Sequence, residues 1–373
     1  MKITAPISRI DEIVPMAAAG ANELYCGVVP REWIARFNTG AVNRRYFGNL
    51  ESMEQLRRAV DIAHQNGTAL LLVLNAQQYG SAHQEALVDV ARAFHGYGGD
   101  AVIVADIGLI AQLRQHVPAL AIHVSSVATC RNSAGVGFYR DLGARRVILP
   151  RDVSLEEIEA IAAASSPVEI EAFVLNDGCV FEEGACHSIH LPARQGGPIC
   201  IDKRPFVYRD AHGEPVSPAV ARNLRDNDAD YQRWLWYRFG CGFTTSPNGY
   251  PWGPCGLCAI ARLAAAGVAS IKIAGREGTS ERKLKSVEMV RAVLDRVRGG
   301  ATGEAAAEFA VSLRQAADHC RSGYMCYYPE VRCAPSGTVA ADGGTGITRV
   351  AMRPEAGHHG RSIVPGSRPE SIR

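Results

Sequence analysis

Hydrophobic residues in this chain gather into eight short runs, and each run is apolar on both of the faces a strand would present. The runs are Lys2 to Pro6, Glu23 to Val28, Ala69 to Leu74, Ala101 to Ala105, Ala121 to Val124, Arg146 to Pro150, Val168 to Val174 and Ser270 to Gly275. A strand with one wet face alternates apolar and polar residues, whereas a run without alternation must be covered on both sides, as in a parallel sheet flanked by helices. The intervening stretches carry the matching helical signals. Leu56, Ala59, Val60 and Ala63 recur at three- and four-residue spacing, and Ser154-Leu-Glu-Glu157 reads as a capping box ahead of Ile158 and Ile161. Further helices are expected near Ala82 to His95, Gly108 to His116 and Ser133 to Leu142. Eight such units predict an α/β chain closed into a (β/α)8 TIM-like barrel, with an open doubly wound sheet as the rival architecture.

Two connections break the rhythm. Val29 to Asn49 forms a long link after the second run, with four Arg and several aromatic residues, and about eighty residues follow the seventh run before Leu257 opens another helix. Both leave from the carboxyl ends of strands, where barrel enzymes keep their sites. The expected organisation is a barrel over 1–300 with a cysteine-rich insertion at 175–256, a helical and cysteine-bearing segment at 301–333, and a disordered tail at 334–373. Helices are expected from Glu281 to Arg298 and from Glu304 to Arg321, whereas the tail is rich in Gly, Pro and Arg without periodicity.

Charge narrows the partners. Forty Lys and Arg stand against 38 Asp and Glu, and the tail alone, with five Arg and three acids, accounts for the net +2. A body that is formally neutral argues against strong general binding to nucleic acid, although a local basic patch can hide inside a zero sum. No apolar run approaches the ~20 residues that span a bilayer, and the first residues lack the pattern of a secretion signal, so a soluble cytoplasmic protein is expected.

Eleven cysteines in such a chain call for a metal, a cluster or redox chemistry rather than a disulfide scaffold, and nine of them lie beyond residue 178. Cys179, Cys186 and Cys200 share one Gly-rich loop and Cys241 follows, at intervals of seven, fourteen and forty-one positions. Four thiolates can hold zinc or an iron–sulfur cluster; structural zinc sites usually present Cys-x-x-Cys knuckles, so the wide intervals suit a cluster across a barrel mouth. Cys255-Gly-Leu-Cys258 is such a knuckle, and with Cys320 and Cys326 it forms a candidate second metal site if the end of the chain folds back on the barrel. The alternative for these later thiols is packing as small reduced hydrophobes, the role also expected of Cys26 and Cys130.

Glu171-x-Phe173, Gly178-Cys179, Glu183-Gly184-x-Cys186 and Ser188, followed by Gly267-Val-Ala-Ser270-x-Lys272-Ile-x-Gly275-Arg276, resemble the paired signatures of the U-thirty-two peptidase family, the collagenase-like proteins, with Ala274 where that family usually has Glu. The likeness extends through His123-Val-Ser-Ser-Val-Ala-Thr and Leu149-Pro-Arg151. The resemblance implies a barrel with a [4Fe-4S] cluster on Cys179, Cys186 and Cys200, the fourth ligand being Cys241 or, alternatively, Cys255 or Cys258. It also implies oxygen-independent hydroxylation of an aromatic ring or nucleobase, on a small molecule or on tRNA or ribosomal RNA. A collagenase-like peptidase and a non-catalytic iron–sulfur subunit that positions a partner protein are the alternatives. No His-Glu-x-x-His helix or Gly-x-Ser-x-Gly elbow supports the peptidase.

Polar residues at or just past the expected strands complete the candidate site. His123 and Asp106 suit proton transfer, and Glu171 suits orientation of a neighbour. Asn75, Arg151, Lys272 and Arg276 suit substrate binding, with Arg151 and Arg276 placed for a carboxylate or phosphate. Arg36, with Arg44 and Arg45 in the first long loop, is a candidate lid over an anionic substrate.

Overall fold

In the computed structural model the described residues are 1–37, 42–45, 47–177, 184, 207–235 and 244–333. Eight parallel strands close into a ring: β1 (Lys2–Pro6), β2 (Glu23–Val28), β4 (Ala69–Leu74), β5 (Ala101–Val104), β6 (Ala121–Val124), β7 (Arg146–Ile148), β8 (Glu169–Leu175) and β9 (Ser270–Ile273). Closure is made by β1, which pairs with β2 through Thr4 and Glu23 and with β9 through Thr4 and Lys272, so the open-sheet alternative is excluded. A two-residue strand, β3 (Asn49–Leu50), pairs with the far end of β2 and lies outside the ring. Every residue of β2, β5, β7 and β9 is buried, as the two-faced apolar runs demand.

The helices begin where local chemistry starts them. Ser52 caps Met53–Gln65 by accepting from the Gln55 amide, and the expected capping box of Ser154 and Glu157 opens Leu155–Ala164. Leu56, Ala59, Val60 and Ala63 form the buried face of Met53–Gln65. Two expectations need correction. The first long connection contains a helix, Arg31–Phe37, and the expected helix from Glu304 to Arg321 is two helices, Gly303–Arg314 and Ala317–Ser322. The break falls at Gln315, whose left-handed backbone (φ 54°) turns the chain just after Arg314 is buried. The compact unit runs from Met1 to Pro335; the cysteine loop from 178 to 206, apart from Gly184, and the tail from 334 lie outside the described residues. Among the described residues no helix is long and apolar enough to cross a membrane.

The lower half of the barrel lumen holds charge. Arg146, the first residue of β7, is 1% exposed and donates to Glu23 on β2 (2.5 and 2.9 Å), to Glu169 on β8 (2.6 and 2.8 Å) and to Glu171 on β8 (2.8 Å). Lys272 of β9 donates to the other oxygen of Glu171 at 2.7 Å, and Thr4 of β1 donates to Glu23 at 2.8 Å. Burial alone would push the Glu23 carboxyl up, but the Arg146 guanidinium and Lys2 hold it well below the usual carboxylate range. Removing one member of such a network strands the others without water. Arg146→Met is therefore expected to lower stability by about 3–5 kcal/mol in urea unfolding, and a loss within ~1 kcal/mol would show that the network contributes no more than a surface pair.

Candidate active site at the barrel mouth

The carboxyl ends of the strands carry a different set of groups. Gly27 is the next-to-last residue of β2, where an added Cβ would lie 2.2 Å from Arg276 Nη1, 2.0 Å from Asn49 Oδ1 and 2.6 Å from Asn43 Nδ2. Its missing side chain is the space through which the Arg276 guanidinium reaches the mouth. Arg276 is 6% exposed and donates to Asn43 Oδ1 (2.8 Å) and Asn49 Oδ1 (3.1 Å), neutral acceptors that orient the cation without neutralising it. Burial and the neighbouring Arg45 both disfavour its charge. Arg45 lies between Asp177 and Glu277, 3.1 Å from each. Arg151 Cζ lies over the Phe173 ring, 3.7 Å from its centroid, and Nε donates to Tyr327 Oη at 3.3 Å. Asn75 donates to Ser125 Oγ at 3.1 Å and accepts from the Arg44 amide.

The exit from β8 is the start of the cysteine loop, and it is held from three sides. Asn176 and Asp177 both take left-handed backbone (φ 65° and 44°), their carbonyls accept from the Tyr327 hydroxyl, and the Asn176 amide group donates to Ser286 Oγ at 2.8 Å. Further along, Gln77 Nε2 donates to the Gly184 carbonyl at 2.6 Å, and a Cβ on Gly184 would meet Thr129 Cγ2 at 1.8 Å. Gly184 therefore lies against the residues that follow β4 and β6. Cys179, Cys186, Cys200 and Cys241 themselves lie outside the described residues.

The remaining expected residues are dispersed. Glu171 and Lys272 lie below the mouth, in the Arg146 network, because each is the third residue of its strand rather than the last. Asp106 caps the helix Ile107–His116 through the Leu109 amide (2.6 Å) and also accepts from Gln84 and the Tyr79 amide, which accounts for both of its oxygens. Arg36 is exposed on Arg31–Phe37 with its guanidinium over the adjacent Phe37 ring. His123 points into the lumen, 4% exposed, with Nδ1 lacking a hydrogen-bond partner. Sequence reasoning left out Asp177, Tyr327 and Arg146 as site or lumen residues. Asp177 follows β8 by two positions and could have been found that way, whereas Tyr327 reaches the mouth only through a fold-back from 150 positions away. Cys26 and Cys130 are buried, their thiols pushed up by burial to about 12 and about 11.

Comparison with known proteins follows from this geometry. The family model described as Peptidase family U32 matches residues 8–334. The chain belongs to that family. Among curated relatives, this U32 member is 30% identical over 185 residues to tRNA hydroxylation protein P of Escherichia coli, an alignment covering 50% of this chain and 38% of the relative. It is 27% identical to the 23S rRNA 5-hydroxycytidine C2501 synthase of the same organism, over 48% of this chain and 27% of that one. It is 24% identical to tRNA hydroxylation protein P1 of Bacillus subtilis, over 79% and 63% respectively. The matches thus span about a quarter to two-thirds of these relatives' own lengths. The solved structure of the U32 peptidase Mk0906 aligns with 47% of this chain and 69% of its own at 18% identity, with a TM-score of 0.36, too low to add to the fold read from strand pairing.

His123 gives the site a pH signature. Burial first, and then Arg146 and Lys272, press its pKa well below the ordinary value, while Glu23 opposes them. The unfolded chain takes up this proton below about pH 6.5, but the folded chain does not. Stability contributed by neutral His123 is thus complete above that pH and declines as pH falls, by up to ~1.4 kcal/mol per unit. His123→Gln should flatten the fall in urea midpoint between pH 7 and 5, and an unchanged slope would assign that fall to other groups.

Proposed function

We propose that this chain is an iron–sulfur protein of oxygen-independent hydroxylation, acting on a base within a structured RNA. The observation that carries the reading is the mouth itself, where a buried Arg276 is held by neutral asparagines rather than by an acid. The activities for which the relatives are named, tRNA hydroxylation and synthesis of 5-hydroxycytidine in 23S rRNA, supply the reaction class.

The donor set fits a [4Fe-4S] cluster, since Cys179, Cys186, Cys200 and Cys241 offer the four thiolates it takes. Cys255 and Cys258 are grouped instead with Cys320 and Cys326, which supports Cys241 as the fourth ligand. When bound, the cluster would supply one-electron transfer. The chain's own residues do the rest. Arg276 offers fixed N–H donors to a phosphate, and the Arg151 guanidinium over Phe173 is a planar cation on which an extruded base can stack. Neutral His123 in the lumen neither repels a cationic intermediate nor delivers a proton at neutral pH. A net charge of +2 is compatible with this, because recognition of one structured site needs a local cluster of arginines rather than a basic surface. The peptidase alternative gains nothing from Cys26 and Cys130, whose raised pKa values oppose the thiolate a cysteine nucleophile needs.

The test is made without oxygen. Protein purified anaerobically should be brown with about four iron and four sulfide per chain, and Cys179→Ala should remove the colour. Nucleosides of tRNA and ribosomal RNA from an anaerobically grown deletion strain should lack one hydroxylated species. The wild-type gene should restore it, Cys179→Ala should not, and Arg276→Ala should restore it at least about tenfold less efficiently. Unchanged nucleosides in both RNA pools would overturn the RNA assignment, and a colourless protein would overturn the cluster.

A further inference from the structure

The end of the chain does return to the barrel. Met325 O accepts from the Cys255 amide at 2.6 Å and the Tyr327 amide donates to Cys255 O at 2.9 Å, which sets Cys255 and Cys326 side by side in a parallel bridge. On the other side, Cys255 bridges to Leu175 at the end of β8. Cys258 lies one turn further on, its Sγ 4.0 Å from the Ala307 carbonyl, and Cys320 is buried on Ala317–Ser322. Thiols separated by up to 71 positions are therefore neighbours around one buried volume.

Arg314 stands in that volume. It is 2% exposed, and Nη2 donates to the carbonyls of Trp252 (2.9 Å) and Gly253 (2.7 Å), while among the described residues Nε has no hydrogen-bond partner. No carboxylate among the described residues pairs with it. A guanidinium is charged at any accessible pH, and burying one without a counter-charge costs several kcal/mol in general. Cys255, Cys258, Cys320 and Cys326 all lie within electrostatic reach of it, as does His319, and its other described neighbours include the Trp252 and Gly253 carbonyls and the Ala-rich helix Gly303–Arg314. Four neutral thiols do not balance the cation. Four thiolates around a divalent ion carry two net negative charges, which offset the cation and lower the net charge of the group to −1.

We propose that Cys255, Cys258, Cys320 and Cys326 form a tetrathiolate zinc site, separate from the cysteine loop, with Arg314 as its buried counter-ion. Binding displaces four thiol protons and makes four Zn–S bonds, so nothing is oxidised or reduced. Among the described residues no three Cys, His, Asp or Glu side chains stand as an assembled metal-binding group, so the thiols must turn about their single χ1 torsions to share the ion. Zinc is favoured over a larger cluster because the site contains a Cys-x-x-Cys knuckle and because Cys255 and Cys320 are closed off from solvent, at 7% and 5% exposed, as in structural zinc sites. Cys333, partly exposed at the rim, is left out of the set.

The experiment uses the full-length chain with Cys179, Cys186, Cys200 and Cys241 all replaced by Ser, which removes the other thiol set. Produced with zinc in the medium, it should retain about one zinc per chain with four sulfur neighbours at about 2.3 Å in X-ray absorption. Adding Cys255→Ser and Cys326→Ser should abolish that zinc, and Arg314→Met should hasten its loss to a chelator at least about tenfold. If the quadruple variant does not fold, the unsubstituted chain decides the matter: purified anaerobically with iron in the cysteine loop, it should still hold one zinc with four sulfur neighbours. Zinc absent from the unsubstituted chain, iron in its place, or zinc that survives loss of Cys255 and Cys326 would each overturn the site.

Discussion

Arg146 is the group on which the barrel's closed form most depends. A parallel ring of eight strands has to fill its own lumen, and here the lower filling is a guanidinium that reaches carboxylates on two other strands, one of which is also bonded to a lysine on a third. The four fully enclosed members, Glu23, Arg146, Glu171 and Lys272, balance to zero, which is why burial of each is tolerable. Apolar side chains would fill the same space without a desolvation cost. A network that is satisfied only when β2, β7, β8 and β9 are in register rejects slipped pairings, since a shift of one residue turns these charges into the apolar shell between strands and helices.

The mouth inherits its geometry from that floor. With Lys272 drawn down to Glu171 and covering the Tyr25 ring at 4.1 Å, three described cations at the top, Arg45, Arg151 and Arg276, are each fixed by a different device: an acid pair, an aromatic face and a pair of asparagines. Only the first device neutralises its arginine. Arg276 keeps its full charge at a depth where the effective dielectric is low, so an anionic group that reaches it is held more strongly than at an exposed arginine. Gly27 makes this possible, because any side chain there would occupy the guanidinium's position.

The strands were legible because they are apolar on both faces, and all eight expected runs coincide with strands to within two residues. What patterning could not convey was depth along the lumen. Glu171 and Lys272 are polar residues in apolar runs, just as Asn75 and Arg151 are polar residues near run ends, and only the register separates the lumen pair from the mouth pair. Arg146 and Glu23 open their runs and so resemble the polar flanks of strands, yet they face inward. Gln315 shows the same limit in a helix. Glu304 to Arg321 has helical composition throughout, and the break comes from the burial of Arg314, a tertiary demand that no local propensity announces.

The two sets of cysteines meet the same few atoms of backbone. Tyr327 donates to the carbonyls of Asn176 and Asp177, the last residues before the loop of Cys179, and its own amide is held by Cys255. Tyr328 donates to the Phe173 carbonyl at 2.8 Å, beneath the ring that carries Arg151. Thus the residues on either side of the β8 exit are fixed by a segment that buries Met325, Tyr327 and Tyr328, and the ordering of that segment costs entropy. A metal shared by Cys255 and Cys326 would offset that cost at the point where the two strands of the bridge touch. The order of the mouth would then depend on a site that never contacts substrate, and loss of zinc would be felt first as misplacement of Asp177 and Arg151 rather than as unfolding of the barrel, whose closure rests on the Arg146 network on the opposite side of the lumen.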